Sequence, residues 1–312
     1  MKFDKNIIKN KLLCKLCKEK DAIFTYHVRP QKAEDYEVKN VDLTYGKKVC
    51  ILLQGNICYK YNFTYETLKL YRKLYPNCLL VLSTWNNENR DLLKKIKDLG
   101  VYVIESATPS KSGHGNINFQ LTSTNAGIEY ALSQNVDYIL KSRTDQRLCS
   151  EMNITYMMDI LKEYPIHIAA KGVGRIVVCS NGCFSNRLYN VTDMLLFGKS
   201  NDIHRYFDAP YDERCGIDYS QDDSIEYSKN RPGEIYLSTH YIENLGFDLK
   251  WTEDDSNYYI KELFAIIDSA SLDWVWLKYT MREYRYRKYK DNNLIPFTHK
   301  EWLRLYLENA NE

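Results

Sequence analysis

From residue 49 onward, short uninterrupted apolar runs alternate with stretches of helical periodicity. Residues 49–53 (VCILL) end at Gln54-Gly55, the pattern of a strand buried on both faces. Leu68, Tyr71 and Leu74 then fall at helical spacing, and Pro76 closes that segment. Residues 78–82 (CLLVL) repeat the strand pattern and run into Ser83-Thr84-Trp85. Leu92, Leu93, Ile96 and Leu99 mark a second helix stopped by Gly100. A third strand over 101–104, a helix over 116–133 and a fourth strand over 138–140 complete the series. The fourth strand runs into Lys141-Ser142-Arg143-Thr144-Asp145-Gln146-Arg147.

This alternation predicts an α/β fold with a mostly parallel sheet flanked by helices, whose ligands bind beyond the carboxyl ends of the strands. Gln54, Gly55, Thr84, Trp85 and the cluster from Arg143 to Arg147 occupy those ends, and all suit a nucleotide. Residues 177–179 and 194–198 predict further strands, or a strand and a turn. Residues 200–260 read as loop-rich and acidic, and from 263 the chain reads as helical and aromatic. The expected division is a lead-in over 1–44, the α/β domain over 45–262 and a helical, basic and aromatic segment over 263–312.

Composition narrows the class. The net charge of +2 over 312 residues gives no field of the kind a dedicated nucleic-acid binder carries. No run reaches the ~18 apolar residues of a membrane span, and the basic N-terminus lacks a secretory apolar core. Nine cysteines, an odd number without framework spacing, fit a reducing compartment, so a cytoplasmic location is expected. Cys14 and Cys17 have the spacing of a zinc knuckle. Only His27 and Cys50 follow, singly, so two idle thiols are expected there.

Read as extended chain, Arg143 and Asp145 point to one side. A carboxylate there holds a ribose hydroxyl or a divalent metal, while guanidiniums clamp phosphate oxygens. The alternative is a solvated salt-bridge loop. On the 116–133 helix, Asn118, Thr122 and Asn125 form a neutral polar stripe; with Gln120 they suit hydrogen bonding to a base, ribose or sugar, and Asn116 suits a cap. Asp193, just before an apolar run, and Glu234, in a loop-like Pro232-Gly233 context, are candidates for the general base of a transfer reaction. The acidic run 253–255 reads as a surface feature. The chain contains no P-loop, nucleophile elbow or dinucleotide fingerprint in a strand–helix context, and His114 and His240 lack the spacing of a metal pair.

Leu53-Gln54-Gly55, Ser83-Thr84-Trp85, Asn116-Ile-Asn118-Phe-Gln120 with Ser123 and Gly127, Leu140 to Asp145, Thr192-Asp193 with Phe197-Gly198, and Glu234-Ile-Tyr236 occur in that order. Over residues 49–245 they resemble the WavE family of lipopolysaccharide-synthesis proteins. The resemblance implies a GT-A-like glycosyltransferase domain over 45–262, moving a sugar from a nucleotide-activated donor to a growing lipopolysaccharide or capsule glycan. Gln54, Gly55, Thr84, Trp85, Asn118, Gln120, Arg143, Asp145, Gln146 and Arg147 would hold the donor. Asp145 looks like the surviving acid of an Asp-x-Asp element, with Arg143 in place of the first Asp. Mg or Mn would therefore bind through Asp145 and donor phosphates, or not at all, with Arg147 partly replacing the metal charge. Glu234 is preferred over Asp193 as general base.

The expected partners are a nucleotide-sugar donor and a glycan or lipid-linked glycan acceptor, with no nucleic acid. Two enzymatic alternatives are a polyol-phosphate transferase and a nucleotidyltransferase of the same pathway. A non-catalytic module binding a membrane surface or nucleic acid is a third. The aromatic and basic residues over 274–304 allow peripheral contact with the inner membrane, single-stranded nucleic acid, or simple packing of a terminal helix.

Overall fold

Six of the seven strands in the central sheet run the same way. In chain order the strands are β1 (Val49–Gln54), β2 (Leu79–Trp85), β3 (Tyr102–Ser106), β4 (Tyr138–Arg143), β5 (Gln146–Leu148), β6 (Ile176–Cys179), β7 (Leu196–Lys199), β8 (Phe264–Ile267) and β9 (Trp274–Trp276). The large sheet has the order β3-β2-β1-β4-β7-β6-β8, and only β7 is antiparallel to its neighbours. β5 and β9 pair antiparallel in a separate two-stranded sheet. The expected α/β arrangement, mostly parallel and flanked by helices with a helix near the C-terminus, is present. This computed structural model describes residues 8, 9, 11, 12, 15, 28–38, 44–168, 172–214, 216, 223–279 and 293–308.

The chain divides into two units, residues Met1–Gln31 and Lys32–Glu312. In the first, the described residues Ile8, Lys9, Lys11, Leu12 and Lys15 are helical and exposed. In the second, the helices are α1 (Phe63–Leu74), α2 (Arg90–Asp98), α3 (Ile117–Ser133), α4 (Asn153–Glu163), α5 (Ser200–Phe207), α6 (Ser224–Lys229), α7 (Glu234–Asn244), α8 (Glu253–Leu263) and α9 (His299–Glu308). β1 is buried at all six positions, as its unbroken apolar run requires. Gly127 lets α3 lie against that strand: a Cβ there would stand 2.4 Å from Leu52 Cδ1. Asn116, expected to cap α3, takes a left-handed conformation and makes no capping bond with its side chain.

Three expectations change. The described residues of 200–260 form helices rather than a run of loops, because polar residues there act as caps. Asp223 accepts from the amides of Ile225 and Glu226, and Thr252 from that of Asp255. The acidic run 253–255 is the first turn of α8, and its Asp255 is buried, accepting from the Tyr189 hydroxyl at 2.5 Å and the Lys250 amide at 3.0 Å. The segment from 263 is not uniformly helical: β8 completes the sheet edge beside β6, so a boundary at 262 would separate that strand from its sheet. Nor do its described tryptophans form an outward belt. Trp274 and Trp302 are buried, and Arg175 stacks over Trp302 and Tyr306. The basic residues 282–290, and Cys14 and Cys17, lie outside the described residues. Among the described residues, no helix is long and apolar enough to cross a membrane.

Candidate active site

The carboxyl ends of β2, β1 and β4 lie side by side, with Gln54 in register with both Ser83 and Arg143. Gln54 donates through Nε2 to Ser123 Oγ at 2.8 Å, which ties the strand end to α3. The next residue turns the chain at φ +113°, a conformation that favours glycine, and the Gly55 amide donates to Ser83 O at 3.0 Å. Thr84 donates to Glu88 Oε1 at 3.2 Å, and Trp85 meets Phe119 edge-on at 5.5 Å. The loop leaving β1 places Tyr59 and Tyr61 on the surface beside this edge.

Beyond β4 the chain turns rather than continuing extended, and the turn joins Arg143 to Asp145. Arg143 Nε lies 3.0 Å from Asp145 Oδ1 and its Nη2 lies 3.4 Å from Oδ2. Trp276, on β9, donates its indole N–H to the same Oδ2 at 2.9 Å and lies under the Arg143 guanidinium, 5.8 Å from its ring centre. The Asp145 backbone carbonyl accepts from Leu277 N at 3.0 Å, so the end of β9 and the residue after it fix this acid by both side chain and main chain. Burial opposes the charge of Arg143, but Asp145, Asp193 and Glu234 outweigh it and raise its pKa.

The second acidic element comes from the reversed strand. Because β7 runs opposite to β4, Asp193 just before it reaches the same edge as Arg143 at the end of β4. Asp193 is nearly buried, and its backbone carbonyl accepts from Lys141 Nζ at 2.5 Å. Lys141 is fully buried, with its ammonium over the Phe207 ring at 5.2 Å; burial pushes its pKa down to about 8. Glu234 opens α7, directly after Gly233 at φ +50°. Burial, and then the Asp193 charge, push the Glu234 carboxyl up to about 7; Arg187 and Arg143 act in the opposite sense.

The edge thus brings Arg143, Asp145, Asp193 and Glu234 into one electrostatically coupled group. Other expected donor residues have different duties. Arg147 is buried on β5: Nε donates to Thr67 Oγ1 at 2.9 Å, and the guanidinium lies 4.4 Å from the Phe63 ring centre. Its donors are directed into the core, so it cannot substitute for metal charge at a phosphate. Asn118 is also buried: Nδ2 donates to Lys111 O at 3.2 Å and Asp212 O at 2.8 Å, and Oδ1 accepts from Asp212 N at 2.8 Å. Thr122 meets Tyr211 Oη at 2.9 Å, and Asn125 donates to Phe207 O at 3.1 Å. The neutral stripe on α3 therefore straps down the 207–212 segment. Gln146 is buried, its Oε1 accepting from Ser142 Oγ at 3.0 Å and Arg143 N at 3.3 Å. Gln120 is half-buried on α3.

The donor set does not suit a resident Mg or Mn. Both oxygens of Asp145 are engaged by Arg143 and Trp276, and a guanidinium stands where a second anionic ligand would be needed. Among the described residues, no group of three or more His, Cys, Asp or Glu side chains is placed to hold a metal ion.

Three residues escaped the sequence reading of the site. Trp276 carried one signal, the alternation in Trp274-Val275-Trp276 that fits a strand. Lys141 stood at the head of the cluster running to Arg147 without a role of its own, and Arg187, a lone basic residue, reads as solvated.

Several solved structures are loosely similar. A protein described as a nucleotide-diphospho-sugar transferase from Desulfovibrio desulfuricans G20 is 11% identical, with 64% of this chain and 77% of that chain covered and a TM-score of 0.35. A cytidylyltransferase from Leptospira borgpetersenii serovar Hardjo-bovis is 14% identical over 85% of this chain and 96% of that one, at 0.38. Glucosyl-3-phosphoglycerate synthase from Mycobacterium tuberculosis is 10% identical over 72% and 70%, at 0.36. No curated protein matches in sequence. The sequence pattern of WavE lipopolysaccharide synthesis matches residues 49–311, so the chain belongs to the WavE family.

Proposed function

We propose that this protein transfers a sugar from a nucleotide-activated donor to a hydroxyl of a growing surface glycan. The observation that carries this reading is the grouping of the Arg143–Asp145 pair with Asp193 and Glu234 at the carboxyl edge of the sheet. In α/β sheets that edge is where nucleotides bind. Asp145, held in a fixed plane, is suited to accept hydrogen bonds from a ribose. Arg143 has Nη1 beyond its contacts with Asp145, and its charge can balance the phosphate that leaves.

Glu234 is the general base. A carboxyl with a pKa near 7 matches the proton affinity that makes base catalysis efficient around neutrality. It removes the proton of the acceptor hydroxyl as that oxygen bonds to the anomeric carbon. The bond from that carbon to the donor phosphate breaks, and the nucleotide leaves with the electron pair. Asp193 keeps the Glu234 proton affinity high and, through its backbone, ties the site to Lys141.

The test starts with a thermal-shift panel of UDP-, GDP-, CDP- and CMP-sugars, since a ligand bound only to the native state raises its melting temperature. Asp145→Ala should lose the shift while remaining folded. Glu234→Gln should retain donor affinity and lose ~10²–10⁴-fold in turnover. Asp193→Asn should disturb donor binding or stability. Release of pyrophosphate from a nucleoside triphosphate would instead favour a nucleotidyltransferase. Normal turnover by a folded Asp145→Ala variant would remove the basis of the reading.

A further inference from the structure

Of the cations whose charge bears on Glu234, one makes no hydrogen bond through its guanidinium among the described residues. Lys141 donates to the Asp193 carbonyl, and Arg143 is committed to Asp145. Arg187, the remaining cation whose charge bears on Glu234, is half-buried, and its guanidinium makes no hydrogen bond or ion pair among the described residues. It is held by aromatic faces, 3.8 Å from the Tyr227 ring centre and 5.7 Å from that of Phe184. Stacking uses the flat face of a guanidinium and leaves its in-plane N–H fork available for a planar or tetrahedral anion.

The loop that carries Arg187 is fixed on both flanks. Ser185 N donates to Ile295 O at 2.9 Å, Phe297 N to Cys183 O at 2.9 Å, and Leu188 N to Ser228 Oγ at 2.9 Å. Tyr189 N donates to Ser256 Oγ at 2.7 Å. A cation positioned this firmly, and not neutralised by the protein, is preorganised to receive a charge from outside.

Topology says which substrate brings that charge. Along the carboxyl edge the order is β2, β1, β4, β7, β6. The nucleotide-suited residues end β2, β1 and β4. Arg187 follows β6, two strands past β4, with Asp193 entering at β7 between them. A base at Glu234 that faces the acceptor hydroxyl has Arg143 as its cation towards the nucleotide half and Arg187 as its cation from the β6 loop.

We propose that Arg187 anchors an anionic group of the acceptor, a phosphate or carboxylate near the hydroxyl that is glycosylated. This rests on the sugar-transfer reading above, and it narrows the acceptor class to an acidic glycan or a phosphorylated sugar.

Inorganic phosphate serves as the probe. It is titrated calorimetrically into the full-length wild type, Arg187→Gln and Arg187→Lys, each with and without saturating nucleotide chosen from the thermal-shift panel. The wild type should bind phosphate whether or not nucleotide is present. Arg187→Gln should weaken phosphate by about 10-fold or more and leave nucleotide affinity unchanged. Arg187→Lys, which keeps the charge and loses the fork, should fall between them, and it covers the case in which the glutamine variant folds poorly. Equal phosphate affinity in wild type and a folded Arg187→Gln would overturn the proposal by making Arg187 a packing residue. Exclusion of phosphate by nucleotide, or weakened nucleotide binding in Arg187→Gln, would overturn it in favour of the donor's own phosphates. Arg187-dependent phosphate binding by a protein that binds none of the nucleotides would keep the anion site and remove the transferase reading.

Discussion

Trp276 donates its indole N–H to Asp145 Oδ2 at 2.9 Å from a position 131 residues further along the chain. With Arg143 on the other oxygen, this bond sets the plane of the carboxylate before any ligand arrives. Trp276→Phe keeps the ring and removes the donor. A hydrogen bond to a charged group is worth about 1.5–3 kcal/mol, so nucleotide affinity should fall roughly 10-fold or more with a small loss of melting temperature. Parallel nucleotide titrations and melts check this; unchanged affinity would mean that Asp145 does not face the nucleotide.

Stability should depend on Glu234 in a defined pH window. Its ordinary pKa of 4.5 is raised to about 7 in the fold, by burial first and by Asp193 second. Between those values the native state binds a proton that the unfolded chain has released, so stability falls as pH rises through the window. Glu234→Gln should abolish that slope. The variant should match wild type below pH 4.5 and exceed it above pH 7, by on the order of 1–3 kcal/mol. Chemical denaturation across this range measures the difference directly.

Chelation should have little effect. The acid that would bind a cation is already paired with a guanidinium, so transfer activity should survive EDTA, and added manganese or magnesium should act only through donor phosphates. Donor-free protein that binds either ion tightly in calorimetry would contradict this.

Arg147 and Arg143 are four residues apart but should respond differently to mutation. Arg147→Met removes buried bonds to Thr67 and Phe63 and should cost about 1–3 kcal/mol of stability while leaving nucleotide affinity intact. Arg143→Met should weaken nucleotide binding more than it destabilises the fold. Urea unfolding paired with nucleotide titration separates the two.

The first four strands of the sheet were legible because each is announced by an apolar run, dense enough in β1, β2 and β4 to require burial and shorter in the half-exposed edge strand β3. The sequence also singled out Arg143, Asp145, Asp193 and Glu234 as candidates, and the fold brings these four residues from three separate stretches within electrostatic reach of one another. The roles of Arg147 and Asn118 were not legible. A guanidinium or an amide looks the same in sequence whether it meets a ligand or the protein's own carbonyls, and their partners lie 80 and 94 positions away. Glu234 was misread locally for a related reason. Pro232-Gly233 marks a turn, and here the turn delivers the chain into a helix rather than onward through a loop. Strands β5 and β9 have three residues each, so even the Trp274-Val275-Trp276 alternation of β9 could not tell which strand it pairs with.

The pairing of β5 with β9, and of β6 with β8, also orders events during synthesis. Every strand of the β3-β2-β1-β4 half has been synthesised by residue 143, whereas β8 and β9 come more than a hundred residues later. Domains begin to organise while the chain is still being made, and long-range pairings are the slow ones. The nascent protein therefore holds its β3-β2-β1-β4 half well before Trp276 can reach Asp145. A chain stopped anywhere from residue 146 to residue 275 would keep the acid and lack the partner that aims it.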